Sequence, residues 1–121
     1  MAACDLLGHK MSFWYVRNNS SRKIYFYSTN QYPDTLLPST KKYVIPIKPN
    51  SEYTIDIPGV GDMGKEFSKF YTKDTMLIFF FDGYIVERYD WEIIRRDYMI
   101  LERRVYSKQD LIKSDWRIVY P

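Results

Sequence analysis

Cysteine and histidine are nearly missing from this chain, which has one of each, Cys4 and His9, in its first ten residues. A single cysteine excludes an intrachain disulfide framework. Structural zinc takes three or four Cys, His or carboxylate ligands, and one Cys beside one His does not reach that number. A serine triad or a Cys–His pair needs a histidine held rigidly against its nucleophile. Chain termini are usually poorly ordered, so the position of His9 argues against both. No run of about 18 apolar residues is present, and none of the segments reads as a membrane-spanning helix. A signal peptide is not legible either, because no charged stretch precedes an apolar one. Charge of one sign is also scarce: 18 basic and 15 acidic residues leave a net charge of +3. Nucleic-acid binders carry a stronger or more clustered excess.

Aromatic side chains are plentiful, with twelve tyrosines and seven phenylalanines against five glycines in 121 residues. Aromatic and β-branched side chains pack well on a pleated surface and favour strands. Ser12–Arg17 and Lys23–Ser28 read as strands around Asn18-Asn19-Ser20-Ser21-Arg22, whose Asn and Ser residues favour a turn. The pair is therefore expected to form a hairpin, with Ile24 and Phe26 facing the core and Tyr25 and Tyr27 the wetter side. Pro33 and Pro38 make residues 29–42 a connection rather than a central strand, from which Leu36 and Leu37 cover the core. Tyr43–Ile47 and Tyr53–Ile57 suggest a second hairpin around Pro49-Asn50, and Pro46 places the first of these strands at an edge or bulge. Tyr53, Ile55 and Ile57 alternate with Thr54 and Asp56 at the period of a half-buried strand.

Gly59, Gly61 and Gly64 match the spacing G-x-G-x-x-G. The dinucleotide fingerprint also needs a parallel strand before it and a helix within a βαβ unit after it. Here Pro58 follows a hairpin-type strand, so the segment is read as a loop. Lys65–Tyr71 is expected to make a helical turn that presents Phe67 and Phe70 together. Thr75–Phe81 is apolar throughout, the pattern of a central strand buried on both faces. Asp82-Gly83 is a turn dipeptide leading into a strand over Tyr84–Arg88. Asp90 is placed to cap a short helix that Trp91 and Ile94 pack onto the sheet. A further strand is expected over Tyr98–Tyr106. Ser107 and Asp110 have capping-box spacing ahead of a second short helix anchored by Leu111 and Ile112. Trp116, Ile118 and Tyr120 alternate in a last strand.

These signals describe a mainly β chain: one antiparallel β-sandwich of about seven strands over residues 12–121 behind a flexible leader of residues 1–11, with two short helices in its C-terminal third. For chemistry, the carboxylates Asp82, Glu87, Asp90 and Glu92 cluster in sequence as a glycosidase pair would, yet turn and cap roles account for Asp82 and Asp90. Asp56 and Asp62 lack the spacing of a calcium loop. Arg95-Arg96 and Arg103-Arg104 beside Tyr98 and Tyr106 could hold a single strand by charge and stacking. Consecutive residues of a strand face opposite ways, however, and acidic residues lie among them, so a salt-bridged surface is expected. Trp14, Tyr15, Tyr25 and Tyr27 are the candidate partner-binding aromatics, able to stack on a sugar or anchor a protein interface. No catalytic, metal-binding or cofactor-binding residue is assigned, and no cofactor is expected.

Tyr32-Pro-Asp-Thr-Leu-Leu-Pro38, Pro49-Asn-Ser51, Asp74-Thr-Met76, Asp90-Trp-Glu92, Asp110-Leu111 and Asp115-Trp116 through Val119-Tyr-Pro121 occur in an order that resembles small uncharacterised envelope proteins, often lipoproteins, of gut Bacteroidota. The resemblance covers residues 13–121 and is strongest after Asp74. It implies secretion and lipid anchoring and carries no established activity. Met1-Ala2-Ala3-Cys4 is similar to the end of a lipoprotein signal, which makes Cys4 the candidate lipid anchor; the other reading of this fragment is a cytosolic start with an incidental cysteine. The expected function is non-enzymatic binding of a partner protein or surface glycan at the cell envelope, in the periplasm or at the outer membrane. The alternative is a soluble, cytoplasmic immunity-type protein that blocks a toxin or defence enzyme. Nucleic acid is not an expected partner.

Overall fold

The computed structural model describes residues 12–57 and 63–121. The leader with Cys4 and residues 58–62 of the glycine-containing loop lie outside the described residues. Within them run seven strands, β1 (Ser12–Asn18), β2 (Ile24–Thr29), β3 (Ile45–Ile47), β4 (Ser51–Ile57), β5 (Thr75–Asp82), β6 (Glu102–Ser107) and β7 (Arg117–Tyr120). Four short helices accompany them: α1 (Met63–Phe70), α2 (Gly83–Arg88), α3 (Trp91–Asp97) and α4 (Lys108–Lys113). The chain is mainly β. One sheet has the order β4-β1-β7 and the other β3-β2-β5-β6. Among the described residues no helix is long and apolar enough to cross a membrane.

β5 organises both cores, as its unbroken apolar run predicts. Met76, Ile78 and Phe80 join Trp14, Val16, Ile24, Phe26, Ile47, Leu111 and Ile118 in one cluster drawn from both sheets. Leu77, Phe79 and Phe81, pointing the opposite way, join Tyr25, Leu37, Val44, Val86, Trp91 and Ile94 in a second. The outer face of the four-stranded sheet is thus roofed by α2, α3 and the long connection after β2. Tyr25 and Tyr27 lie under that roof. Tyr25 is buried and Tyr27 stacks on Phe79 with ring centres 5.9 Å apart, so the expectation of a wetter face for them is corrected.

Both expected hairpins are corners between sheets. β1 belongs to one sheet and β2 to the other, and the same holds for β4 and β3. The turn residues are where the sequence places them, but Asn18 sends the chain across. Its side chain is fully buried, and its Nδ2 donates to the carbonyls of Arg22 at 2.6 Å, Ile47 at 3.1 Å and Lys48 at 3.2 Å. Its Oδ1 accepts from the Ser20 amide and hydroxyl. One carboxamide therefore ties the corner after β1 to the corner before β4, and the Asn50 amide adds a bond to the Ser20 carbonyl. The edge position expected for Pro46 is observed, with β3 outermost and Pro46 opposite Tyr25.

The sheets are not wholly antiparallel, because β7 runs parallel to β1 with Tyr15 opposite Arg117 and Asn18 opposite Tyr120. Asp115 and Trp116 adopt left-handed φ values of 58° and 59° on leaving α4, which turns the chain into that register. The C-terminal third holds three helices, not two, since Tyr84–Arg88 is helical. Asp82 caps it, its carboxylate accepting from the Tyr84 amide at 2.8 Å. The Gly83 amide meets the Lys23 carbonyl so closely that a Cβ at Gly83 would lie 2.6 Å from that oxygen. Burial of Val86 in the second cluster then overrides the strand preference of Tyr84-Ile85-Val86.

α3 and α4 fall where the sequence places them. Asp90 occupies the cap position of α3 without a side-chain bond to it, whereas Ser107 and Asp110 form the full capping box of α4. Tyr98 closes α3 in the left-handed conformation, which delays β6 to Glu102. Of the paired anchors, Leu37, Phe67 and Leu111 are buried while Leu36, Phe70 and Ile112 are exposed. Each pair was expected to bury together; the helix or loop turns one member out.

Asn18→Ala removes one donor group serving three carbonyls and an acceptor serving two donors, and should lower unfolding stability by about 2–4 kcal/mol. Asn18→Asp keeps the size but sets a carboxylate against carbonyl oxygens, and should cost at least as much at neutral pH. Urea titration of both variants checks this; a loss below about 1 kcal/mol for either would remove the tie from the account of the corners.

Candidate functional site

The two sheets are joined differently along their two sides. On the β6–β7 side Arg104 spans from one sheet to the other. Its guanidinium donates to the β7 carbonyl of Val119 at 2.8 Å, to Tyr106 Oη at 3.0 Å and to Glu102, and it lies 5.1 Å from the Phe80 ring centre. Its bond to Glu102 holds the guanidinium charge firmly and lowers the Glu102 carboxyl below the usual range. Phe80 and Tyr120 complete this closure with ring centres 4.9 Å apart.

On the β3–β4 side the shared core opens into a cleft of about 530 Å³. Its apolar lining is Trp14, Phe26, Tyr27, Ile45, Tyr53, Ile55, Phe70 and Tyr71. A run of four polar residues, Ser28-Thr29-Asn30-Gln31, completes it. Among the described residues no charged side chain lines it. The walls are held by ring contacts: Tyr53 meets Phe26 edge-on at 5.7 Å and Tyr71 stacks on the buried Phe67 at 4.5 Å. Asn30 Nδ2 donates to the Phe70 carbonyl at 2.7 Å, fixing the polar rim to the end of α1. Burial raises the Tyr71 phenol above the ordinary tyrosine value, and its hydrogen bond with Ser28 opposes that rise.

Of the four candidate aromatics the cleft takes in the ring of Trp14; Tyr27 borders it, but its ring lies on the other face of β2, stacked on Phe79. Tyr15 points from the opposite face of β1, where the Arg117 guanidinium lies 4.6 Å from its ring centre. Tyr25 is buried on the far face of β2, and its hydroxyl donates to Glu87 at 2.9 Å. Sequence reasoning missed Tyr53, Phe70 and Tyr71 as cleft residues. Tyr53 carried a strand-alternation signal, and nothing local says that its face opens to solvent.

Away from the cleft, Asp82 and Glu87 share one recess with Arg22, Lys23 and Arg88, and the remaining sequence candidates are dispersed. Asp82 caps α2 and pairs with Arg22; Glu87, lowered by its bond to Lys23 and then to Tyr25, lies within α2. Glu92 pairs with Arg95, and Arg96 with Asp97. Arg103 donates to the Tyr98 hydroxyl. Among the described residues no group of three or more His, Cys, Asp or Glu side chains could hold a metal ion.

Tyr71 gives the cleft a pH signature. Its folded pKa lies above the unfolded value of about 10, so the folded chain holds the proton longer. The stability this contributes is whole below pH ~10 and is lost as pH rises through the folded value. Tyr71→Phe should therefore flatten the alkaline fall in melting temperature, while the Ser28 partner it gives up lowers the plateau at neutral pH. Melting curves from pH 7 to 11 check this; an unchanged alkaline slope counts against a buried phenol. Comparison with family models, with curated proteins and with solved structures gives no match.

Proposed function

We propose that this chain is a non-enzymatic binding module of the cell envelope that receives a neutral ligand in the cleft between its two sheets. The sheets pack as a β-sandwich that is latched along β6–β7 and open along β3–β4, which is the finer architecture this reading adopts. The observation that carries the proposal is the composition of the cleft lining: the five rings of Trp14, Phe26, Tyr53, Phe70 and Tyr71 and a polar run, with no charged side chain among the described residues. Small-ligand sites are concave, mainly apolar and of roughly 300–1,000 Å³, with a few placed polar groups that orient the guest. A lining without cations offers a phosphate or carboxylate no counter-charge, and burying an unpaired charge there would be costly. A ligand with an apolar body and neutral hydrogen-bonding groups fits. The resemblance carried by Asp90-Trp-Glu92 and Asp115-Trp116 supports the envelope setting, with Cys4 as the anchor.

The neutral fluorophore N-phenyl-1-naphthylamine should bind saturably at one site and quench the Trp14 contribution to tyrosine–tryptophan emission. Phe70 is half exposed, so Phe70→Ala should leave thermal stability within about 0.5 kcal/mol while weakening the probe about tenfold. Gln31→Trp, which places a ring across the rim, should block it. Non-saturable uptake, or equal binding by both variants, sinks the cleft as a site. For the envelope setting, cells expressing the chain and fed an alkyne fatty acid should label Cys4; equal labelling of Cys4→Ala, or none in either, removes the anchor.

A further inference from the structure

We infer that the occupant of this cleft is an extended, neutral segment of a partner protein, which adds a strand to β2 in the line of β3. The inference rests on the binding reading above and names the class of ligand.

β3 is shorter than the strand it covers. It pairs with β2 only from Ile24 opposite Ile47 to Phe26 opposite Ile45, while β2 continues against β5 through Thr29 opposite Leu77. Among the described residues, residues 27–29 thus have a strand neighbour on one side only. Before Ile45 the chain has turned away into the 3-10 helix Lys41–Tyr43, whose cap spends the Val44 amide on the Lys41 carbonyl.

The direction of the free backbone groups follows from the register. The Gly83 amide donates to the Lys23 carbonyl, and these two positions continue the β2–β5 register. In an antiparallel pair the residues that exchange hydrogen bonds alternate. Lys23, Tyr25, Tyr27 and Thr29 therefore direct their backbone groups to β5. Ile24, Phe26 and Ser28 direct theirs to the β3 side. Ile24 and Phe26 meet Ile47 and Ile45 there. Ser28 N–H and C=O face the cleft, and among the described residues neither has a backbone partner. The same parity makes Pro46, opposite Tyr25, a residue whose missing N–H costs the ladder nothing.

Residues opposite one another in a ladder share a face. Ser28 lies on the face of Ile24 and Phe26, so a guest residue paired with Ser28 points its side chain between the sheets. There it meets Trp14, Tyr53 and Ile55 at the mouth of the core. A strand added here would receive main-chain bonds for affinity and a pocket for one alternate side chain for specificity, the two components of strand addition. The lining selects a neutral segment with a large apolar residue at that position. A neutral oligosaccharide also matches an uncharged aromatic cleft, but it has no use for a ladder position with both backbone groups directed at the gap.

A synthetic library of acetylated, amidated hexapeptides tests this, with Thr alternating with Val, Leu, Phe or Tyr, measured by displacement of the bound fluorophore. At least one member should displace it. In that member, N-methylation of the residue that pairs with Ser28 should weaken binding tenfold or more, and N-methylation of its neighbour should change it less than threefold. The Ser28 amide should gain protection from hydrogen exchange on binding. Displacement that ignores the position of N-methylation, or displacement by neutral cello-, malto- or manno-oligosaccharides and by no peptide, overturns strand addition while leaving a ligand cleft. If no member of either panel displaces a fluorophore that does bind saturably, strand addition is again overturned. Failure of the fluorophore itself to bind instead removes the underlying reading.

Discussion

The rest of the structure depends on β5 being buried on both faces. An isolated strand can offer two apolar faces to the protein only if something covers each of them. Met76, Ile78 and Phe80 require one cover and Leu77, Phe79 and Phe81 another. The three-stranded sheet supplies the first. Helices α2 and α3 with the connection around Leu37 and Val44 supply the second, secured where Trp91 Nε1 donates to the Pro38 carbonyl at 2.8 Å. Six consecutive core side chains on one strand concentrate stabilisation, since fully burying each large apolar side chain is worth roughly 1.5–3 kcal/mol. The β6–β7 side and the β3–β4 side can then differ without endangering the fold.

That difference is what gives the molecule a site. Arg104 reaches the edge carbonyl of β7 and stops the sheets from separating on its side. Among the described residues no charged bridge of this kind crosses the cleft, where the aromatic lining is only partly covered. The cost of leaving apolar surface open there is limited, because Trp14 and Phe26 are almost fully buried from beneath. Only the outer rings, Tyr53 and Phe70, are substantially exposed. Stability and ligand access are thus divided between the two long sides of the same pair of sheets.

Local signals in the sequence carried the elements well and their partners poorly. The capping box of Ser107 and Asp110, the edge position of Pro46 and the two-faced burial of β5 are each properties of a few neighbouring residues, and they could be read directly. The helix over Tyr84–Arg88 was not legible, because its cause is the approach of Lys23 to Gly83 from a distant strand. The corners after β1 and before β4 looked like hairpin turns for a related reason. A turn residue says that the chain reverses, and only Asn18 reaching Ile47 and Lys48 says that it changes sheet. The cleft was hidden for the same reason: Trp14, Tyr53 and Tyr71 come from separate segments, and nothing local marks the side on which two sheets fail to close.

The parallel pairing of β1 with β7 has a consequence for how the chain comes to be folded. On a ribosome β1 emerges early, yet one of its two neighbours is made only near residue 120. Until then its edge presents unpaired amides and carbonyls beside Trp14 and Val16, a template for pairing with other chains. Pairings between distant parts of a sequence also form slowly. The four-stranded sheet, complete once β6 has been made, can assemble first and hold Ile24, Phe26, Ile78 and Phe80 ready. The arrival of β7 is then a late docking step, and Arg104 is already in position on β6 to receive it.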